Sequence, residues 1–114
     1  MEKKKIVVFG DLPIATKVVM KIMKMESLEL IGVVIGNDSP HNNDPWKDVE
    51  CLEAYARKNN ISIFTIKELE NTFEKETLDL GLLCRFSKIV KKNTISLFKY
   101  GMINMHGGLL PEFA

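Results

Sequence analysis

The chain has 114 residues, of which 46% are hydrophobic and 27% charged, and sixteen basic against fifteen acidic side chains leave a formal net charge of +1. This is the composition of one ordinary globular domain, and it argues against a disordered, collagenous or repeat-built chain. With the charge signs interspersed there is no basic footprint of a phosphate-tracking protein, and a chain this long hides roughly two thirds of its unfolded surface, enough for a core without metal or disulfide staples.

The N-terminal Lys3-Lys4-Lys5 precedes an apolar run far shorter than the ~7–15 residues of a signal-peptide core. That run, Ile6 to Phe9, closes on Gly10-Asp11 and has the form of a strand buried on both faces of a parallel sheet. From Pro13 the period changes. Ile14, Val18, Val19, Ile22 and Met23 recur at helical spacing with Lys17, Lys21 and Lys24 opposite, and proline suits the first turn of the helix they predict. Leu30 to Ile35 predicts a second strand, closed by the turn formers Gly36 to Pro40.

Asp44-Pro45 ahead of Trp46 predicts a helix start, with Val49, Leu52, Tyr55 and Ala56 as its buried stripe as far as Asn59-Asn60. Ile61 to Phe64 predicts a third strand. Thr65 and Glu68 have capping-box spacing, opening a short helix through Phe73. Leu78 to Cys84 predicts the fourth strand, Lys91 to Phe98 a further helix, and Gly101 to Met105 a fifth strand. No stretch approaches the ~20 apolar residues of a membrane span. Cys51 and Cys84, the two cysteines, sit in apolar segments where a thiol behaves as a small hydrophobe, which suits a reducing, cytoplasmic setting.

Strands alternating with helices through connections too long for hairpins predict an α/β, doubly wound parallel sheet. Ligands of such sheets bind beyond the strand C-termini, which directs attention to Gly10-Asp11, Arg85 to Lys88 and Asn104 to Gly108. Neither a dinucleotide-binding glycine motif nor a phosphate-binding loop occurs, and His41, His106, Cys51 and Cys84 show no metal-ligand pairing. No metal is expected. Asn104 closes a strand and His106 follows two residues later, so a carboxamide and an imidazole would project from one strand face. On spacing alone two readings stay open: a site, or an asparagine that caps the strand's hydrogen bonds beside a packing histidine.

Ile103-Asn104-Met105-His106-Gly107-Gly108-Leu109-Leu110-Pro111 resembles the I-N-x-H-P-S-L-L-P motif of the 10-formyltetrahydrofolate-dependent formyltransferases. Upstream, Asp79 to Leu83 with Phe86 to Val90 looks like that family's strand and folate-contacting loop, and Ile6 to Asp11 like its opening strand and substrate-side turn. The resemblance covers essentially all of residues 1–114 and implies an incomplete formyltransferase N-terminal domain, Rossmann-like, with strand order 3-2-1-4-5 and without the family's later strands.

It further implies catalytic roles for Asn104, as hydrogen-bond donor to the formyl oxygen, and for His106, as its partner in proton traffic. Folate contacts are implied for Ser87, Lys88, Ile89 and Val90 and for Gly108, Leu109, Leu110 and Pro111, with core packing the alternative for Ile89 and Val90. Gly10 and Asp11 fall on the amine-substrate side. The sequence departs from the family in having Gly107-Gly108 for Pro-Ser, and Arg85 for a small residue. The family's catalytic aspartate lies downstream of Ala114, so the 114-residue chain is expected to be inactive alone and to self-associate through an uncovered sheet edge.

The implied co-substrate is 10-formyltetrahydrofolate. For the acceptor, Gly10 to Pro13 lacks the glycine- and serine-rich loop of the glycinamide ribonucleotide enzymes, and Gly36 to Pro45 carries no lysine or arginine to meet RNA phosphates. A small amine on a sugar nucleotide is therefore the expected substrate, with nucleic acid and membrane not expected as partners. The alternatives are a methionyl-tRNA formyltransferase and a non-catalytic folate-binding module.

Overall fold

A computed structural model describes residues 2–36 and 48–105. Five strands, β1 (Lys4–Gly10), β2 (Leu28–Val34), β3 (Ile63–Phe64), β4 (Leu80–Cys84) and β5 (Met102–Met105), alternate with four helices, α1 (Pro13–Met23), α2 (Leu52–Lys58), α3 (Ile66–Thr72) and α4 (Lys92–Ile95). The sheet order is β3-β2-β1-β4-β5, as the resemblance implies, and every pair is parallel, as the alternation predicts. This is a Rossmann-like sheet.

Side chains leave a strand alternately up and down, so the apolar runs feed two separate cores. On one face Ile6, Val8, Val33 and Cys84 pack with Ala15, Val19 and Ile22 of α1 and Leu52 and Ala56 of α2. On the other, Val7, Phe9 and Val34 pack with Leu69 of α3 and with Leu97 and Phe98 after α4. Val7, Val8 and Phe9 are fully buried, which is why β1 reads as a continuous apolar run. The first helix starts at Pro13 as expected, but its buried stripe is Ala15, Thr16, Val19 and Ile22; Met23, expected inside, is 50% exposed.

β2 begins two residues earlier and β3 two residues later than expected, and three further boundaries differ. The helix expected from Asp44-Pro45 begins at Leu52 among the described residues, with Cys51 at its N-cap and no side-chain cap; residues 44–46 lie outside the described chain. Its first-turn donor is satisfied by tertiary structure, since the Leu52 N–H donates to the Asp11 carbonyl at 3.1 Å. Leu78 is no part of β4 but makes a separate bridge to Phe98, and the Asp79 carboxylate accepts the Lys5 N–H at 2.7 Å instead of continuing a strand pattern. The last helix is shorter than Lys91 to Phe98 and ends at Ile95, closed by bonds from Leu97 N–H to the Thr94 carbonyl and Phe98 N–H to the Ile95 carbonyl.

The capping box of α3 is complete. Glu68 N–H donates to Thr65 Oγ1 at 3.0 Å and Thr65 N–H donates back to Glu68 Oε1 at 2.8 Å. Thr65→Ala is expected to cost about 1 kcal/mol of stability, readable as a lower urea midpoint at unchanged slope. No helix among the described residues is long and apolar enough to cross a membrane.

Candidate functional site

The register places the ends of three strands side by side. Gly10 pairs with Cys84 and Cys84 with Met105, while one residue earlier Phe9, Leu83 and Asn104 form a single row. Gly10, Cys84 and Asn104, at the ends of β1, β4 and β5, therefore lie side by side at one end of the sheet, beside the point where strand order reverses. Gly10 has to be glycine for this approach. A β-carbon there would lie 2.6 Å from the Ala15 Cβ and 2.7 Å from the Cys84 carbonyl oxygen, a collision with backbone that cannot shift.

Asn104 follows Met102 by two residues and so shares the face of the second core. It opens onto a cleft of about 580 Å³ lined also by Leu83, Arg85, Phe86, Lys88, Val90, Ile95, Met102 and Met105. That size lies within the range of small-molecule sites, and an apolar wall with a few converging polar groups is their usual construction. Asn104 itself is exposed. The floor is rigid: Phe86 meets the buried Phe9 ring edge-to-face at 5.5 Å, and Phe9 meets Phe98 at 6.0 Å.

Arg85 adopts φ 55°, the left-handed region that non-glycine residues rarely occupy. The backbone thus turns sharply out of β4 and brings Phe86, Lys88 and Val90 round to the β5 side. Ile89 is 83% exposed, so core packing does not account for it, whereas Val90 is half-buried against the second core. A neighbouring cavity of about 490 Å³ shares Lys88 and is lined by Ile35, Thr65, Ile66, Lys67, Glu70, Ile89, Lys91, Asn93 and Thr94. Cations thus gather here from separate segments, Lys67 after β3 and Arg85, Lys88 and Lys91 after β4, with Glu70 engaged by the Thr94 hydroxyl at 2.6 Å.

The remaining expected site residues divide. The Asp11 carboxylate accepts from Gly36 N–H at 2.6 Å and from Ser87 Oγ at 3.3 Å, so two of the three segments are joined directly. His106, Gly108, Leu109, Leu110 and Pro111 lie outside the described residues. Cys84 is a buried free thiol whose pKa burial pushes up to about 12, so at neutral pH it stays protonated and is a poor nucleophile. Phe86 falls in the segment that the resemblance picked out and forms one cleft wall, whereas Met102 was missed by sequence reasoning and owes its place to β5 register alone.

The fold and site define a parallel α/β domain with a ligand-sized cleft at the strand C-termini beside an asparagine. No model of a known protein family matches the chain. Among curated proteins it is similar to "Methionyl-tRNA formyltransferase" of Fusobacterium nucleatum subsp. nucleatum, 31% identical over 114 residues covering 96% of this chain and 36% of the relative. The same-named protein of Clostridioides difficile is 29% identical, covering 96% and 37%, and that of Ureaplasma urealyticum is 27% identical, covering 96% and 37%. The chain belongs to the formyltransferase family, as a counterpart of its N-terminal domain. It spans just over a third of the length of these relatives.

These names overturn the expected partners. Each specifies an aminoacylated tRNA, where a small amine on a sugar nucleotide was expected and nucleic acid was not. The expectation had rested on the interspersed charges and on the absence of lysine and arginine from residues 36–45. In the fold the cations that face the candidate site come from residues 67–91, dispersed in sequence and gathered by topology.

Proposed function

We infer that the chain is the formyl-donor-binding part of a cytoplasmic enzyme that moves a formyl group from 10-formyltetrahydrofolate to the amino group of methionyl-tRNA. The observation that carries this reading is the position of Asn104, at the strand end inside a ligand-sized cleft, in a chain matched along 96% of its length by relatives of that name. The lining suits the donor. Apolar walls from Phe86, Val90 and Met102 can hold a flat heterocycle, while Arg85 and Lys88 can meet carboxylates. The cation-lined neighbouring cavity favours anionic substrates further.

In the reaction the amine nitrogen bonds to the formyl carbon, the carbonyl oxygen takes up negative charge, and the bond from that carbon to the folate nitrogen breaks as a proton passes from amine to leaving nitrogen. The Asn104 carboxamide N–H would donate to the oxygen as the charge develops, where a fixed donor lowers the barrier most. His106, by resemblance, would assist the proton transfer near neutral pH.

The test is transfer of labelled formyl from 10-formyltetrahydrofolate by the protein that carries this chain. Formylated methionyl-tRNA is the expected product. Folate binding without transfer to methionyl-tRNA would overturn the enzymatic reading in favour of a folate-binding module.

A further inference from the structure

Asp11 stands where three segments distant in sequence come together. It is 4% exposed, and a buried carboxylate is tolerated only when donors satisfy it. Gly36 N–H, beyond the end of β2, donates to Oδ1 at 2.6 Å, and Ser87 Oγ, beyond the end of β4, donates to Oδ2 at 3.3 Å. The backbone carbonyl of the same residue accepts from Leu52 N–H at 3.1 Å. The junction has no spare room. A β-carbon on Gly36 would collide with Ser87 Oγ and lie 3.0 Å from Asp11 Oδ2, so even one methyl group would force the hydroxyl away from the carboxylate.

What this clasp holds is the wall of the cleft. Ser87 lies between Phe86 and Lys88, which line the cleft with Asn104, and the segment leaves β4 through Arg85 in its unfavourable left-handed conformation. Such a conformation persists only when surrounding contacts impose it. The carboxylate oxygens are already engaged within the fold, which argues against the amine-side contact expected for Asp11.

We propose that Asp11 is a positioning residue: through Ser87 its buried carboxylate fixes residues 85–90 and thereby sets the shape of the donor cleft beside Asn104. The inference rests on reading that cleft as the folate site, so its test separates the two. Backbone order parameters of residues 86–90 are measured in the chain and in Ser87→Ala, Ser87→Thr and Gly36→Ala, alongside the dissociation constant for 5-formyltetrahydrofolate and the urea midpoint.

Ser87→Ala and Gly36→Ala are expected to lower the order parameters from about 0.85 to below about 0.6 and to weaken folate binding about tenfold, equivalent to about 1.4 kcal/mol. Ser87→Thr, which keeps the hydroxyl, is expected to retain both properties, and the Ser87→Ala midpoint should stay near that of the parent. Unchanged order in Ser87→Ala and Gly36→Ala, or loosened loops with undiminished folate affinity, would overturn the proposal. Loosened loops in a chain whose parent form binds no folate would support the clasp and overturn the donor-site reading instead.

Discussion

Asn104→Ala is expected to slow formyl transfer by about 10²–10³-fold with little change in donor affinity, because a group that meets charge only in the transition state acts on the barrier rather than on binding. The fold should not suffer. Asn104 is exposed and forms no side-chain hydrogen bond with the described residues, while its strand is held by backbone pairing to Leu83 on β4. Surface substitutions of that kind usually change stability by no more than about 0.5 kcal/mol. Single-turnover rates alongside urea unfolding separate the two quantities, and near-normal rates would return Asn104 to the alternative of a strand-end cap.

The largest effect on stability is expected for Phe9→Ala. Its ring is fully buried at the centre of the second core, edge-to-face with both Phe86 and Phe98. Truncating a buried phenylalanine costs about 3–5 kcal/mol, a large share of the roughly 5–15 kcal/mol that holds a domain together. Because Phe86 also lines the cleft, folate affinity should fall with stability in the fraction that remains folded. A urea midpoint lowered at unchanged slope measures the first effect; a loss below about 1 kcal/mol would mean that the core closes over the gap.

The sheet was legible because β1 and the second half of β2 are buried on both faces, leaving continuous apolar runs such as Ile6 to Phe9 that helical periodicity cannot explain. The α3 start was legible because Thr65 and Glu68 cap one another within four residues. The α2 start was not. Its first donor goes to the Asp11 carbonyl, 41 residues away, and no local signal encodes that bond. Asp11 illustrates the same limit: the resemblance put it on the amine-substrate side, while the partners of its carboxylate lie 25 and 76 residues off. The cations beside the cleft were hidden for a related reason: no basic run exists, and Lys67, Lys88 and Lys91 become neighbours of one cavity only through the crossover from β3 to β4.

The central claim is that the cleft between the β4 exit and β5 takes the formyl donor. Titrating the isotopically labelled chain with 5-formyltetrahydrofolate tests it most directly. The account predicts saturable shift changes concentrated at Leu83, Phe86, Val90, Met102 and Asn104, with Ala15 and Leu52 on the opposite face of the sheet unaffected. Saturable changes centred away from the cleft, or none at millimolar folate, would contradict it.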